Sequence, residues 1–436
     1  MSNEYSPSSL TELAKMLMQL DDLLVSCMRC GFCQSVCPVY GATFREADVT
    51  RGKIALLEDL AHELTADAEN VNERLNRCLL CGSCETNCPS GVNIMDIYLR
   101  ARAIVAGYKG LGTIKKLVFR FILPKPGLFN FLVKISSVFQ KPFLKRANQK
   151  VGTSTAAVLN PFLGRRHIPS LPGKTFASAN GSVMEPGRGG PMVALFPGCV
   201  PDKVFPGLAE ASLKILRHHG AGIFCPTDEL VCCGIPVLAS GDVAAFDELT
   251  KRNLEALKKR PFDYLVTPCA TCASNIKENW HRFKDRFSAE HQSLIEKIHS
   301  QTMDLTAFLV KVLKVDFQPS QNEGKIVTYH DPCHLKKSLG VSAEPRAILK
   351  SLPGLSFKEM PMADSCCGFG GSFSLFHYDL SKQIGQSKRD NIVKVSPEVV
   401  ATSCPACMMQ LMDIMSQNND QVEVKHVAEL YADTLN

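Results

Sequence analysis

Two periodicities divide the chain. From Ser8 to Leu24, in SSLTELAKMLMQLDDLL, apolar residues recur at three- and four-residue intervals, which predicts an amphipathic helix capped by Ser8 or Ser9. TRGKIALLEDLAHEL predicts another, with Thr50 as its cap and Ile54, Leu57 and Leu60 on one face. From residue 192 onward the pattern changes to short, wholly apolar runs. MVALFPGC, YLVTPCATC, KIVTYHDPC and VVATSCPAC each read as a buried strand that delivers a cysteine at its end, with helical stretches between them. Alternating strands and helices predict small α/β units with mostly parallel sheets, whose ligand crevice lies at the carboxyl ends of the strands.

This second region repeats itself. Cys199 to Cys232 spans 33 residues and so does Cys333 to Cys366, while Cys233 to Cys269 spans 36 and Cys367 to Cys404 spans 37. Such agreement in spacing is an internal duplication. The copies differ at one loop position, where Gly370 corresponds to Pro236, so the second loop is expected to differ in shape.

Between the helical and alternating regions lies a basic segment. No acidic residue occurs between Asp96 and Glu185, whereas 15 Lys and Arg do; with a net charge of +6, the rest of the chain carries −9. Within residues 112–150, Phe, Leu and Ile mix with Lys and Arg, and Pro124, Pro126 and Pro142 divide the stretch into short amphipathic pieces. This composition suits an anionic membrane surface, an acidic partner subunit, or a strap across the protein's own N-terminal domain. Residues 170–191, rich in Ser, Gly and Pro, read as a flexible linker. Nucleic acid is not expected as a partner, because no recognition motif accompanies the charge.

A length of 436 residues suggests two to three domains, and 45% hydrophobic with 21% charged residues is a soluble globular balance. MSNEYSPSSL has no secretory pattern and no apolar run reaches the roughly 20 residues of a membrane span. The expectation is a cytoplasmic protein, attached if at all to the inner face of the cytoplasmic membrane. In that compartment the 19 cysteines indicate metal ligation or redox chemistry rather than disulfides. Only Cys225 stands outside the cysteine groups, as a small buried apolar residue.

Cys27, Cys30, Cys33 and Cys37-Pro38 have the spacing of bacterial ferredoxins, and Cys78, Cys81, Cys84 and Cys88-Pro89 repeat it. Two-residue gaps let a loop wrap three thiolates around one cube, while the fourth cysteine, turned by proline, reaches the other cluster. The expected ligand sets are Cys27, Cys30, Cys33 and Cys88 on one [4Fe-4S] cluster, and Cys78, Cys81, Cys84 and Cys37 on the other. Gly31 and Gly82 follow the second cysteine of each motif, where backbone must approach inorganic sulfur. Zinc, which takes four ligands in two pairs, fits the duplicated triplets less well.

Two such motifs set among helices resemble the α-helical ferredoxin domain of succinate dehydrogenase iron-sulfur subunits. Arg51-Gly52 matches a pair common in that setting, or is merely a solvated helix start. The pattern Cys, CCG, CxxC resembles the CCG domain of heterodisulfide reductase. The whole chain is similar to the iron-sulfur subunit of glycolate oxidase and of lactate-utilising dehydrogenases, and YHDPCHL and CCGFGG are typical of that group. The implied architecture is an α-helical ferredoxin domain (1–110), a basic segment and linker (111–191), and two duplicated α/β, Rossmann-like CCG units (192–320 and 321–436). The resemblance implies non-cubane [4Fe-4S] clusters on Cys199, Cys232, Cys233, Cys269 and Cys272, and on Cys333, Cys366, Cys367, Cys404 and Cys407. Zinc in one unit, or thiol chemistry alone, stays open. His330, Asp331 and His334 flank Cys333 as proton relays or as strand-end caps.

No dinucleotide fingerprint or P-loop accompanies these motifs, so the chain is expected to own no flavin or nicotinamide. The resemblance implies an electron-transfer subunit that takes electrons from an FAD-containing 2-hydroxy acid (lactate or glycolate) dehydrogenase and delivers them to a quinone or another carrier. Its rival is a heterodisulfide-reductase-like subunit that cleaves a disulfide at a CCG-bound cluster. A redox-silent, zinc-stabilised scaffold is the third class.

Overall fold

The computed structural model describes residues 5–155, 165–319 and 324–435. It divides into two compact units: Met1–Phe121 with Gly234–Glu248 and Gly368–Ile384, and Ile122–Cys233 with Leu249–Cys367 and Gly385–Asn436.

The first unit is helical throughout its described residues. Helix α1 (Leu10–Met18) is capped by Ser9, which accepts the Glu12 N–H, and it buries Leu13, Ala14 and Leu17. Helix α2 (Thr50–Ala61) buries Ile54, Leu57 and Leu60 as its periodicity requires, but Thr50 is not its cap. Val49 holds that position, and the Thr50 side chain hydrogen-bonds Cys84. Arg51-Gly52 is also not a solvated helix start. Gly52 lies against the backbone of the preceding turn, where a Cβ would stand 2.1 Å from the Glu46 carbonyl oxygen. Arg51 binds the Glu46 carboxylate at 2.7 Å.

Helix α3 (Ile94–Lys109) carries the buried Arg102, whose guanidinium donates to the carbonyls of Cys78 at 2.8 Å and Ala239 at 2.7 Å. Arg120 adds a paired contact to Asp242 at 3.0 and 3.1 Å. The residues that follow each CCG sequence therefore fold into the same unit as the ferredoxin-type motifs. Gly370 has φ +55°, a conformation closed to proline, and a Cβ there would stand 2.5 Å from Leu79. The second loop thus differs in shape from the one containing Pro236, as expected.

In the second unit, helix α4 (Pro126–Phe143) begins with Pro126 in its first turn and runs past Pro142. Strands β1 (Lys145–Asn148), β2 (Thr153–Thr155) and β3 (Ile168–Pro169) form a small antiparallel sheet. Part of the stretch read as a linker is ordered: residues 176–180 are helical, and β4 (Val183–Glu185) pairs antiparallel with β6 (Gly222–Cys225) because Val183 is drawn into the core.

Strands β5 (Met192–Leu195), β7 (Tyr264–Thr267) and β8 (Thr302–Asp304) complete a sheet of order β4-β6-β5-β7-β8, parallel except for β4. Strands β9 (Lys325–His330), β10 (Leu355–Phe357), β11 (Val399–Thr402) and β12 (Glu423–His426) form an all-parallel sheet of order β10-β9-β11-β12. Each copy thus orders its four parallel strands second-first-third-fourth. Val193, Leu195 and Val266 of one sheet share a core with Val327, Tyr329 and Val399 of the other. Burial on both faces explains why these strands read as continuous apolar runs rather than alternating ones.

Gly52→Ala must push α2 off the backbone of residues 46–47, an overpacking cost of about 1–3 kcal/mol or more. The expected outcome is a lower denaturant midpoint and lower iron content per chain; wild-type values for both would refute the packing role.

Candidate metal centres

Each ferredoxin-type motif wraps a cavity. One is lined by Cys27, Cys30, Cys33, Cys84 and Cys88, the other by Cys37, Cys78, Cys81 and Cys84. The fourth cysteine of each motif thus lies at the cavity of the other motif. The cavities hold about 370 and 410 Å³ of empty space respectively, part of it open to solvent. Gly31 (φ +82°) and Gly82 (φ +73°) turn the loops in the conformation that glycine adopts freely. Backbone N–H groups of Tyr40 and Leu80 donate to the sulfurs of Cys37 and Cys78 at 3.4 Å.

Burial pushes the Cys37 thiol up to about 12 and raises Cys84 well above the ordinary thiol range. Without a nearby cation these groups stay protonated. Lys53, 2% exposed, lines the second cavity; burial lowers its pKa while the Cys78 and Cys37 thiolates raise it. Lys53 lies four and seven residues before Leu57 and Leu60, so helical spacing puts it on the apolar face of α2, a signal that the reading of the sequence did not use.

In the α/β copies the cysteines gather at strand ends. Cys199 follows β5 and Cys269 follows β7, the adjacent strands from which the chain departs in opposite directions. Cys333 follows β9 and Cys404 follows β11 in the same way. Crevices form at such a switch point. The Cys199 and Cys232 sulfurs are 4.0 Å apart, and a Cβ on Gly198 (φ +87°) would stand 3.0 Å from the Cys272 sulfur. Asn275 and Trp280 clamp the Cys233 carbonyl at 2.7 and 3.0 Å.

In the second copy, Cys367 and Cys407 sulfurs are 3.6 Å apart. Hydrogen bonds from Cys269 and Cys407 hold the Cys404 thiol well below its usual value, so a sulfur of the first copy meets one of the second. Cys272 and Cys407 are pushed well above theirs, first by hydrogen bonding to Cys233 and Cys367 respectively.

The residues flanking Cys333 separate into different roles. Asp331 is buried in a two-pronged ion pair with Arg346 at 2.8 and 2.7 Å and accepts from Ser342 at 3.0 Å, so it braces the loop. His334 bonds Thr271 at 3.2 Å, and Thr271 lies 3.4 Å from the Cys404 sulfur, a polar chain that links the copies. His330 is fully buried, and burial pushes its imidazole down to about 3. Cys225 sits in the β6 core as an apolar residue.

Sequence reasoning missed two further lysines besides Lys53. Lys203 shares a cavity with Cys199 and Cys232. Lys388, 1% exposed and lowered by burial to about 8, donates to the Met362 and Ala363 carbonyls beside Cys366 and Cys367.

All 19 cysteines are free thiols. Soft sulfur donors, N–H groups aimed at them and buried cations nearby fit iron–sulfur clusters.

Comparison with known proteins agrees. Residues 24–92 match the 4Fe-4S dicluster domain, and residues 193–277 and 327–412 each match the CCG cysteine-rich domain. The chain is 30% identical to the "Probable glycolate oxidase iron-sulfur subunit" of Bacillus subtilis (strain 168), over 93% of both chains. It is 26% identical to one of the polypeptides of the dihydromethanophenazine:CoB–CoM heterodisulfide reductase of Methanosarcina mazei, over 97% of this chain and 95% of that one. It is 31% identical to lactate utilization protein A of Oceanobacillus iheyensis, over 55% of this chain and 95% of the relative. No helix among the described residues is long and apolar enough to cross a membrane. The chain therefore belongs to the family of oxidoreductase iron–sulfur subunits that join a 4Fe-4S dicluster domain to two CCG domains, the family of the glycolate oxidase subunit.

Proposed function

We propose that this chain is the electron relay of a flavin-dependent 2-hydroxy acid oxidase or dehydrogenase. An FAD-containing partner subunit oxidises lactate, glycolate or a related acid, and electrons leave through this chain to a quinone or another carrier. In this reading Cys27, Cys30, Cys33 and Cys88 hold one [4Fe-4S] cluster, and Cys78, Cys81, Cys84 and Cys37 hold the other. Cys199, Cys232, Cys233, Cys269 and Cys272 hold a third, non-cubane cluster, and Cys333, Cys366, Cys367, Cys404 and Cys407 a fourth. These clusters supply one-electron steps. The chain's residues supply the thiolates, the buried cations that balance them and the walls that exclude water. The observation that carries the reading is the gathering of the free thiols in dicluster and CCG sites on one chain, within a family of iron–sulfur subunits.

The complete cysteine sets in both CCG copies favour a second reading, disulfide reduction at a CCG-bound cluster, as the name of the Methanosarcina relative suggests. Disulfide reduction by the isolated reduced chain would support it, and its absence supports the relay.

The basic segment supports a docking role. Helix α4 turns an apolar stripe outward, with Phe131, Val138 and Phe139 exposed by 59, 64 and 60%. With no acidic side chain in residues 97–184, we assign this stripe to the surface of an anionic membrane. That location would bring the relay to a quinone.

Full occupancy corresponds to about 16 irons per chain after anaerobic purification. About eight would remove the CCG clusters from the reading, and zinc in place of iron would do the same for its unit. Cys37→Ser and Cys88→Ser should each cost about four irons and one cubane signal; a loss of both clusters or neither in either variant contradicts the crossed ligand sets.

Sedimentation with vesicles tests the stripe. Vesicles rich in anionic lipid should carry the protein down, and Phe131→Ser/Val138→Ser/Phe139→Ser should weaken this at least about tenfold. No sedimentation with anionic vesicles would transfer the stripe to a partner subunit.

A further inference from the structure

The two CCG copies share strand order and nearly the same cysteine spacing, and they differ at a buried wall position. Three residues before Cys199 stands Phe196; three before Cys333 stands His330. Both are 0% exposed. Phe196 fills its place with hydrocarbon. His330 ends β9, paired with Thr402 on β11, and its ring meets the Ala363 backbone without a hydrogen bond of normal geometry at either nitrogen. An unsatisfied imidazole at that depth costs about 1–3 kcal/mol unless something else takes up its lone pair or its proton.

What lies beside it is sulfur. A His330 ring nitrogen and the sulfurs of Cys367 and Cys407 all lie within 4.8 Å of one another. The 3.6 Å between the two sulfurs is close to the edge of a tetrahedron around one metal at about 2.3 Å from each. Two thiols and an imidazole at this spacing form three corners of a ligand set. His334, although nearer in sequence to Cys333, is committed to Thr271, and the His426 Nδ1 accepts the Ala428 N–H.

We propose that His330 supplies a nitrogen ligand to the iron held by Cys367 and Cys407, so that the cluster of the second CCG copy has mixed sulfur and nitrogen ligation while that of the first is bound by sulfur alone. The proposal rests on the reading of the CCG sites as cluster sites. Both copies keep five cysteines, so the imidazole adds a neutral nitrogen donor to the second site and makes its ligand set chemically distinct from that of the first.

The test uses the full-length chain, purified without air, with histidine labelled by ¹⁵N. Iron and sulfide are counted first: about eight irons defeats the cluster reading itself, and the ligand proposal with it. With the CCG clusters present, pulsed electron paramagnetic resonance of the reduced protein should show a directly bound histidine nitrogen. This coupling should vanish in His330→Phe and should persist in His334→Phe. Absence of the coupling in the wild type, its survival in His330→Phe, or its loss in His334→Phe overturns the assignment. If His330→Phe also loses iron, His330→Cys decides: iron restored without nitrogen coupling supports a ligand, and iron still missing marks the imidazole as structural only.

Discussion

The cost of placing thiolates out of water governs this molecule. In most of the cysteine sites burial works against the charged form that metal binding requires, as the strong upward displacement of Cys37 and Cys84 shows. A buried thiolate is tolerable only beside positive charge, and iron is the largest such charge available to a sulfur site. The fold adds smaller ones. Lys53, Lys203 and Lys388 are all buried, an arrangement that lysine avoids unless its charge is answered. Lys53 and Lys388 lie beside cysteines, where anionic sulfur answers them, and Lys203 pairs with the Asp202 carboxylate in the wall it shares with Cys199 and Cys232. Metal and fold are therefore mutually dependent: the cation makes the burial possible, and the burial sets the potential at which that cation gains or loses an electron.

Duplication supplies the rest of the geometry. A parallel sheet delivers successive strand ends to one edge, and the order second-first-third-fourth places the first and third strands side by side with their connections diverging. A cysteine just past each of those strands needs no special loop to meet its counterpart. Because both sheets share one hydrophobic core, the copies are fixed relative to each other, and Cys269 reaches Cys404 across the junction.

Most of this was legible in the sequence for simple reasons. Cysteine spacing, strand ends and repeat length are linear quantities, so the metal motifs, the alternating α/β pattern and the duplication survive in one dimension. Whatever depends on packing did not. Thr50 has the chemistry of a cap, yet its hydroxyl serves Cys84 while Val49 takes the cap position. Asp331 sits next to two candidate ligands, yet Arg346, 15 residues away, claims it. Lys203 and Lys388 carry no local signature, because a lysine turned inward and one turned outward are written alike. The stretch 170–191 has a linker's composition, but one buried valine adds β4 to the sheet.

The places where the two copies part company follow a physical rule. Core positions of duplicated units change little in kind, because a lost methylene or an added one costs of order 1 kcal/mol without altering chemistry. Wall positions of a metal site obey a different balance. Phe196 and His330 occupy matching, fully buried places, and only one of them carries a lone pair. A buried imidazole whose one backbone contact, to Ala363, falls short of normal hydrogen-bond geometry lowers stability, and the adjacent sulfur pair is where a compensating interaction can form. Pro236 and Gly370 differ for a geometric reason: one loop needs a fixed negative φ, the other a positive one against Leu79. A change at the cavity wall alters the ligand environment of one site while leaving the common core intact.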